Sequence, residues 1–213
     1  MNRYLKKPLQ HITILFLYTL LTCLLLYPLP ASFSTGLLEA QSGDPLMQIW
    51  VVQWNIHKLT SSLSHYFDAN IFYPYSNTFA YHDHMFALGL IGLPIYTISQ
   101  NPIVAYNVLL MLSFILSAYG MYLLCKEITH NDYAAFLAGL IFGFLPYRFA
   151  HLDHLNLLSI QWLPFCFLFL TRYLFSKKGR GSLFLFWTFF LLQALTSFNY
   201  LFVLSFAIGV QIL

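Results

Sequence analysis

Long apolar runs separated by short polar clusters make up most of the chain, and the length of those runs predicts helices that cross a membrane. Ile12 to Leu29 is an 18-residue charge-free run behind a basic end carrying Arg3, Lys6 and Lys7. That is close to the roughly 20 apolar residues needed to span a bilayer as a helix. A secretory signal has an apolar core of about 7 to 15 residues and a small-residue cleavage site, and the Tyr27-Pro28-Leu29-Pro30 exit does not fit one, so a retained first span at about 12–29 is expected. Met85 to Cys125 is charge-free over 41 residues, with breaks at Pro94 and Asn101-Pro102 that divide it into 85–99 and 103–125. Further spans are expected at about 133–147, 157–175, 182–196 and 201–213. The last run stops at Leu213 in mid-segment, which predicts that the C-terminus is incomplete.

Lipid leaves only helices or closed barrels with their backbone groups satisfied. A barrel needs short alternating segments, and these runs are continuous and rich in Leu and Phe. The expected fold class is therefore an all-α polytopic membrane protein with a single transmembrane domain. Its sidedness follows from the basic residues, which concentrate on the cytoplasmic side. If 85–99 crosses, Lys58, Lys126, Arg172, Lys177, Lys178 and Arg180 fall outside. If it lies along the interface, only Lys58 and Arg148 do. The second arrangement is expected, with a cytoplasmic N-terminus and a large first outer loop at 30–102.

Composition agrees, since 59% of residues are hydrophobic and only 8% charged, against about 25% charged in a soluble domain. Mean hydropathy is +0.68. The ten Lys and Arg sit in short separate clusters, which speaks against nucleic acid as a partner and leaves membrane lipid. Cys23, Cys125 and Cys166 have no CxxC spacing and read as small buried apolar residues.

Polar chemistry gathers between Ser42 and His84, a stretch with three of the seven acidic residues and four of the eight histidines. Asp44-Pro45 is a helix start, with Asp at the N-cap and Pro at the first position. Leu46, Ile49, Trp50 and Trp54 follow at helical spacing, predicting an interfacial helix over about 45–65 with its Trp at headgroup depth. Residues 68–84 read as an ordered aromatic loop. It ends in His82-Asp83-His84, and His151-Leu152-Asp153-His154 forms a second cluster that the expected topology places on the same face. Such groups bind a divalent metal or supply a general base, but bland roles stand beside these. Asp44 is accounted for by capping, His82 and His84 by backbone hydrogen bonds, and Asp153 by an ion pair with Arg148 or His154. No histidine lies in mid-span, which speaks against haem.

Several motifs resemble those of the bacterial GT-C class of integral-membrane glycosyltransferases. They are Gly43-Asp44-Pro45, Ile49-Trp50, Gln53-Trp54-Asn55, Asn70-Ile71-Phe72-Tyr73-Pro74, Ala105-Tyr106-Asn107, Pro146-Tyr147-Arg148-Phe149-Ala150-His151 and Gln161-Trp162-Leu163-Pro164. The resemblance, over roughly residues 10–175, implies a GT-C-like bundle whose first extracytoplasmic loop carries juxtamembrane helices at about 45–65 and 85–99. It also implies a sugar transferred from a polyprenyl-phosphate donor to an envelope acceptor at the outer face of the bacterial inner membrane. On it Asp44 and Asp153 are catalytic, Arg148, Trp50, Trp54, Asn70 and Tyr81 bind substrate, and His82, Asp83, His84, His151 and His154 are candidate ligands for Mg or Mn. The chain is shorter than family members usually are, so a truncated member is expected. The alternative function is a non-catalytic transporter fragment or envelope-assembly scaffold. Transporters place ionisable groups at mid-bilayer, where this sequence has clean spans.

Overall fold

The computed structural model describes residues 3–39, 41, 43–175 and 179–212. Lys177 and Lys178 of the expected basic turn lie outside it, as do the side chains of Arg3, Lys6 and Lys7. All regular structure among the described residues is helical. The helices are α1 (Arg3–Leu25), α2 (Asp44–Thr60), α3 (Phe86–Ser99), α4 (Pro102–Thr129), α5 (Asp132–Gly143), α6 (Pro146–Phe149), α7 (Leu155–Leu158), α8 (Trp162–Leu174), α9 (Gly179–Ala194) and α10 (Phe198–Ile212).

Among the described residues three stretches are long and apolar enough to cross a membrane: Pro8–Leu25, Pro102–Thr129 and Leu155–Leu174. The expected spans at 133–147, 182–196 and 201–213 correspond to α5, α9 and α10, of 12, 16 and 15 residues. At 1.5 Å per residue α5 reaches about 18 Å, less than a bilayer core of about 30 Å. Pro146 helps to end α5 early, because the residue before a proline is pushed out of helical backbone.

The chain divides into two compact units. One comprises 1–32, 111–150 and 160–190, and the other 33–110, 151–159 and 191–213.

The first unit closes α1, α4 and α5 around Tyr18, Ala118, Tyr122 and Ala135. Gly139 and Gly143, four apart, let α5 approach closely. A Cβ on Gly139 would overlap the Tyr18 hydroxyl, and one on Gly143 would sit 3.0 Å from the Ala118 Cα. Small residues at this spacing are how helices pack where lipid removes any hydrophobic drive. The Tyr18 hydroxyl donates to the Phe136 carbonyl at 3.0 Å, and its ring stacks on Phe136 at 5.3 Å. Near the end of α4, Lys126 pairs with Asp132 at 2.7 Å, and Arg172 donates from Nε and Nη2 to Glu127 Oε2 at 2.9 and 2.6 Å.

The second unit is organised on α2, which packs against α3 and touches α7. Gly89 of α3 lies so close to Asn55 that any Cβ there would overlap the Asn55 side chain. Asn55 is fully buried and joins three segments: its amide donates to the Val51 and His84 carbonyls at 2.8 and 2.6 Å, and its oxygen accepts from the Tyr66 hydroxyl. Burial in this aromatic surround pushes the Tyr66 hydroxyl pKa well up. The loop from 66 to 81 is thereby held to the helix. Phe79, buried, packs edge-on to Tyr66 and Trp50.

Candidate functional site

Gly43 adopts left-handed backbone at φ 81°, turning the chain into α2 so that Asp44 is the first helical residue and Pro45 the second. Glycine takes that conformation without a Cβ penalty. The cap therefore falls on Gly43, which has no side chain, and not on Asp44 as expected. The Asp44 carboxylate instead lies in the first turn, where the helix dipole favours an anion.

Asp153 and His154 arrive from a tight turn, closed by the His154 N–H on the His151 carbonyl at 3.0 Å, immediately before α7. His154 then stands between two carboxylates. Its Nδ1 is 2.6 Å from Asp153 Oδ1, and its Nε2 is 3.5 Å from Asp44 Oδ2. Among the described residues Asp44, Asp153 and His154 form a group whose donor atoms all lie within 4.8 Å of one another. The short contact to Asp153 fixes the ring, as a carboxylate does for a histidine that binds metal or moves a proton. The Asp153 side chain is 21% exposed and that of Asp44 44% exposed, so the centre is open on the Asp44 side. The His151 ring lies 6.2 Å from that of His154.

The other sequence candidates divide. His82, Asp83 and His84 are engaged elsewhere and do not join this group. Asp83 accepts from Asn156 Nδ2 at 2.9 Å, Ser197 Oγ at 3.1 Å and the Phe198 backbone N–H at 3.1 Å, so it ties the start of α10 to α7. His82 Nδ1 faces its neighbour's carbonyl at 2.8 Å and so carries the proton there, leaving Nε2 towards the buried Gln48 amide at 3.4 Å. His84 Nδ1 accepts the Phe86 backbone N–H at 3.0 Å. Burial lowers the His84 pKa, against an opposing pull from the Asp83 carboxylate. Backbone-bonded loop histidines, the bland expectation, describe this pair's contacts.

Trp50, Trp54 and Asn70 do come together. They line a cleft of about 410 Å³ with Gln53 and His57. Sequence reading named neither Gln53 nor His57 as a site residue, although 50, 53, 54 and 57 share one face of a 3.6-residue helix. Tyr81 is elsewhere, in a pocket of about 260 Å³ lined also by Phe72 and Tyr75. Arg148 belongs to the first unit. It is fully buried, donates from Nη1 to Ser117 Oγ at 3.3 Å and from Nη2 to Ser113 Oγ at 3.1 Å, and lies 4.2 Å over the Phe114 ring. Those contacts hold the cation to α4, and of the two partners expected for Asp153 it is His154 that pairs with it, at 2.6 Å.

No protein-family model, no curated protein and no solved structure matches the chain.

Proposed function

We propose that the chain is a polytopic membrane glycosyltransferase of GT-C type, with Asp44, Asp153 and His154 as its reacting centre. One observation carries the reading: three ionisable side chains from the start of α2 and from the turn before α7, 110 residues apart at their extremes, converge within 4.8 Å. Polar groups that distant in sequence meet where a site requires it. The motif resemblance puts an acidic residue at the head of the first outer loop, and Asp44 is that residue.

The reaction needs an acceptor hydroxyl to attack the anomeric carbon of a sugar carried on polyprenyl phosphate. The bond from that carbon to the phosphate oxygen breaks, the phosphate leaves with the electron pair, and the hydroxyl proton passes to a base. Asp44, the more open carboxylate, is the base. Asp153 holds the His154 ring, which faces Asp44 and positions it. Two carboxylates and an imidazole nitrogen suit Mg or Mn, and such an ion, when bound by Asp44, Asp153 and His154, supplies positive charge for the departing phosphate. The three apolar helices and the distribution of basic residues support an inner-membrane location with the N-terminus in the cytoplasm and the centre on the outer face.

Membranes containing the chain, supplied with labelled polyprenyl-phosphate sugars, test this. Transfer that disappears in Asp44→Asn while the protein stays inserted is the expected result. Equal transfer by the variant removes Asp44 as base, and no transfer by the wild type from any donor hands the chain to the scaffold alternative.

A further inference from the structure

The cleft on α2 has features that the reacting centre does not use. Trp50 and Trp54 present near-parallel indoles, 6.3 Å apart at 23°. Both ring N–H groups are tied back into the protein: Trp50 Nε1 donates to Asn70 Oδ1 at 3.2 Å and Trp54 Nε1 to the Tyr66 carbonyl at 2.9 Å. A tryptophan that serves as a membrane anchor turns its N–H to water and headgroups. These two offer ring faces instead. Within the cleft the Gln53 side-chain nitrogen is buried and makes no hydrogen bond. A buried amide donor without an acceptor is costly, so its presence points to a ligand that supplies one.

We infer that this cleft binds a pyranose ring. Rigid aromatic faces with a few fixed polar groups at their edge suit a ligand with one apolar C–H face and a rim of hydroxyls. Gln53 and Asn70 would bond the hydroxyls. An acyl chain would leave the Gln53 amide unsatisfied. For an anionic headgroup the nearby lysine is Lys58, whose ammonium already donates to the Ser64 carbonyl at 3.1 Å and lies 4.9 Å over Trp54. A volume of about 410 Å³ is within the usual range for a small-ligand site, about 300 to 1,000 Å³.

Gln53 lies nine residues beyond Asp44, about 14 Å along the helix and on another face of it. The site therefore holds a sugar other than the one being transferred. Its role as a grip on a glycan acceptor rests on the transferase reading, but binding itself does not. The same ring could come from a soluble glycan or from a glycolipid headgroup.

The test is saturation-transfer NMR and calorimetric titration of the full chain in detergent. The probes are methyl glycosides of glucose, galactose, mannose and N-acetylglucosamine, and then the same rings on a short-chain lipid. Saturable binding to at least one ring is expected, weakened tenfold or more in Trp50→Ala and several-fold in Gln53→Ala. Gln53→Ala keeps both indoles, so it stays informative if a tryptophan variant fails to fold. Tighter binding of the lipid-linked form would assign a glycolipid source, and equal binding a soluble one. No saturable binding of any ring overturns the inference, as does binding that neither variant changes, or a Trp50-dependent response to sugar-free phosphatidylethanolamine and phosphatidylglycerol vesicles alone. Asp44→Asn should bind the ring unchanged, so loss of transfer and loss of this site are separate outcomes.

Discussion

The Asp83 carboxylate accepts the backbone N–H of Phe198, the first residue of α10, at 3.1 Å across 115 residues of chain. A remote carboxylate thus does for α10 what a local N-cap does for an ordinary helix. The same carboxylate holds Asn156 and Ser197. This explains why an acidic residue stands between two histidines without joining Asp44, Asp153 and His154.

Asp83→Ala removes one acceptor from three donors. A loss of about 1 to 3 kcal/mol in stability is expected, read as a lower midpoint of thermal unfolding by circular dichroism in detergent. Asp83→Asn should lose less, because it keeps an oxygen but not the charge that favours a helix N-terminus.

At the proposed centre, Asp44→Asn and His154→Gln should each lower transfer by about 10² to 10⁴, the usual contribution of a positioned base. Their unfolding midpoints should hardly move, because the Asp44 and His154 side chains are 44% and 36% exposed. A large drop in midpoint with normal residual activity would instead make the pair structural.

Asn55→Leu should cost about 1 to 3 kcal/mol. It strips the acceptor from the half-buried Tyr66 hydroxyl and the donor from the Val51 and His84 carbonyls. Proteolysis within 66–81 should speed up in parallel, because that loop is tied to α2 through Tyr66. Unchanged cleavage would show that Phe79 alone holds it.

His84 gives a pH dependence with a definite sign. Its folded pKa is lowered from the ordinary 6.5, and its Nδ1 must stay unprotonated to accept from Phe86. Above about pH 7 the ring is neutral folded or unfolded and contributes no slope. As pH falls through 6.5 the unfolded chain takes up the proton first, so stability falls. The midpoint should drop between pH 7 and 5, and His84→Gln should flatten that drop. Asp68 acts in a lower window. The Asn77 N–H and then His65 hold its carboxyl below its ordinary value, so its contribution disappears as pH falls below about 3.8.

Several parts of this arrangement are legible in the chain itself. The apolar runs locate helices because a period of 3.6 and an absence of charge are local properties. Gly43-Asp44-Pro45 marks the start of α2 to within a residue, missing only that the glycine, by its left-handed backbone, takes the cap. Trp50 and Trp54 share a face by spacing alone. The length of α5 was less legible, since a run of apolar letters does not show where packing and proline end a helix.

Sequence by itself determined that the chain is helical, that its long apolar runs suit a bilayer, and that its few charges cluster between them, because each is a property of neighbouring residues. Only the tertiary structure decided which polar groups share a centre. His82-Asp83-His84 and His151-Leu152-Asp153-His154 look alike as letters, yet Asp83 is spent on the start of α10 while Asp153 and His154 meet Asp44. That choice depends on contacts across as many as 115 residues, and nothing in local spacing encodes it.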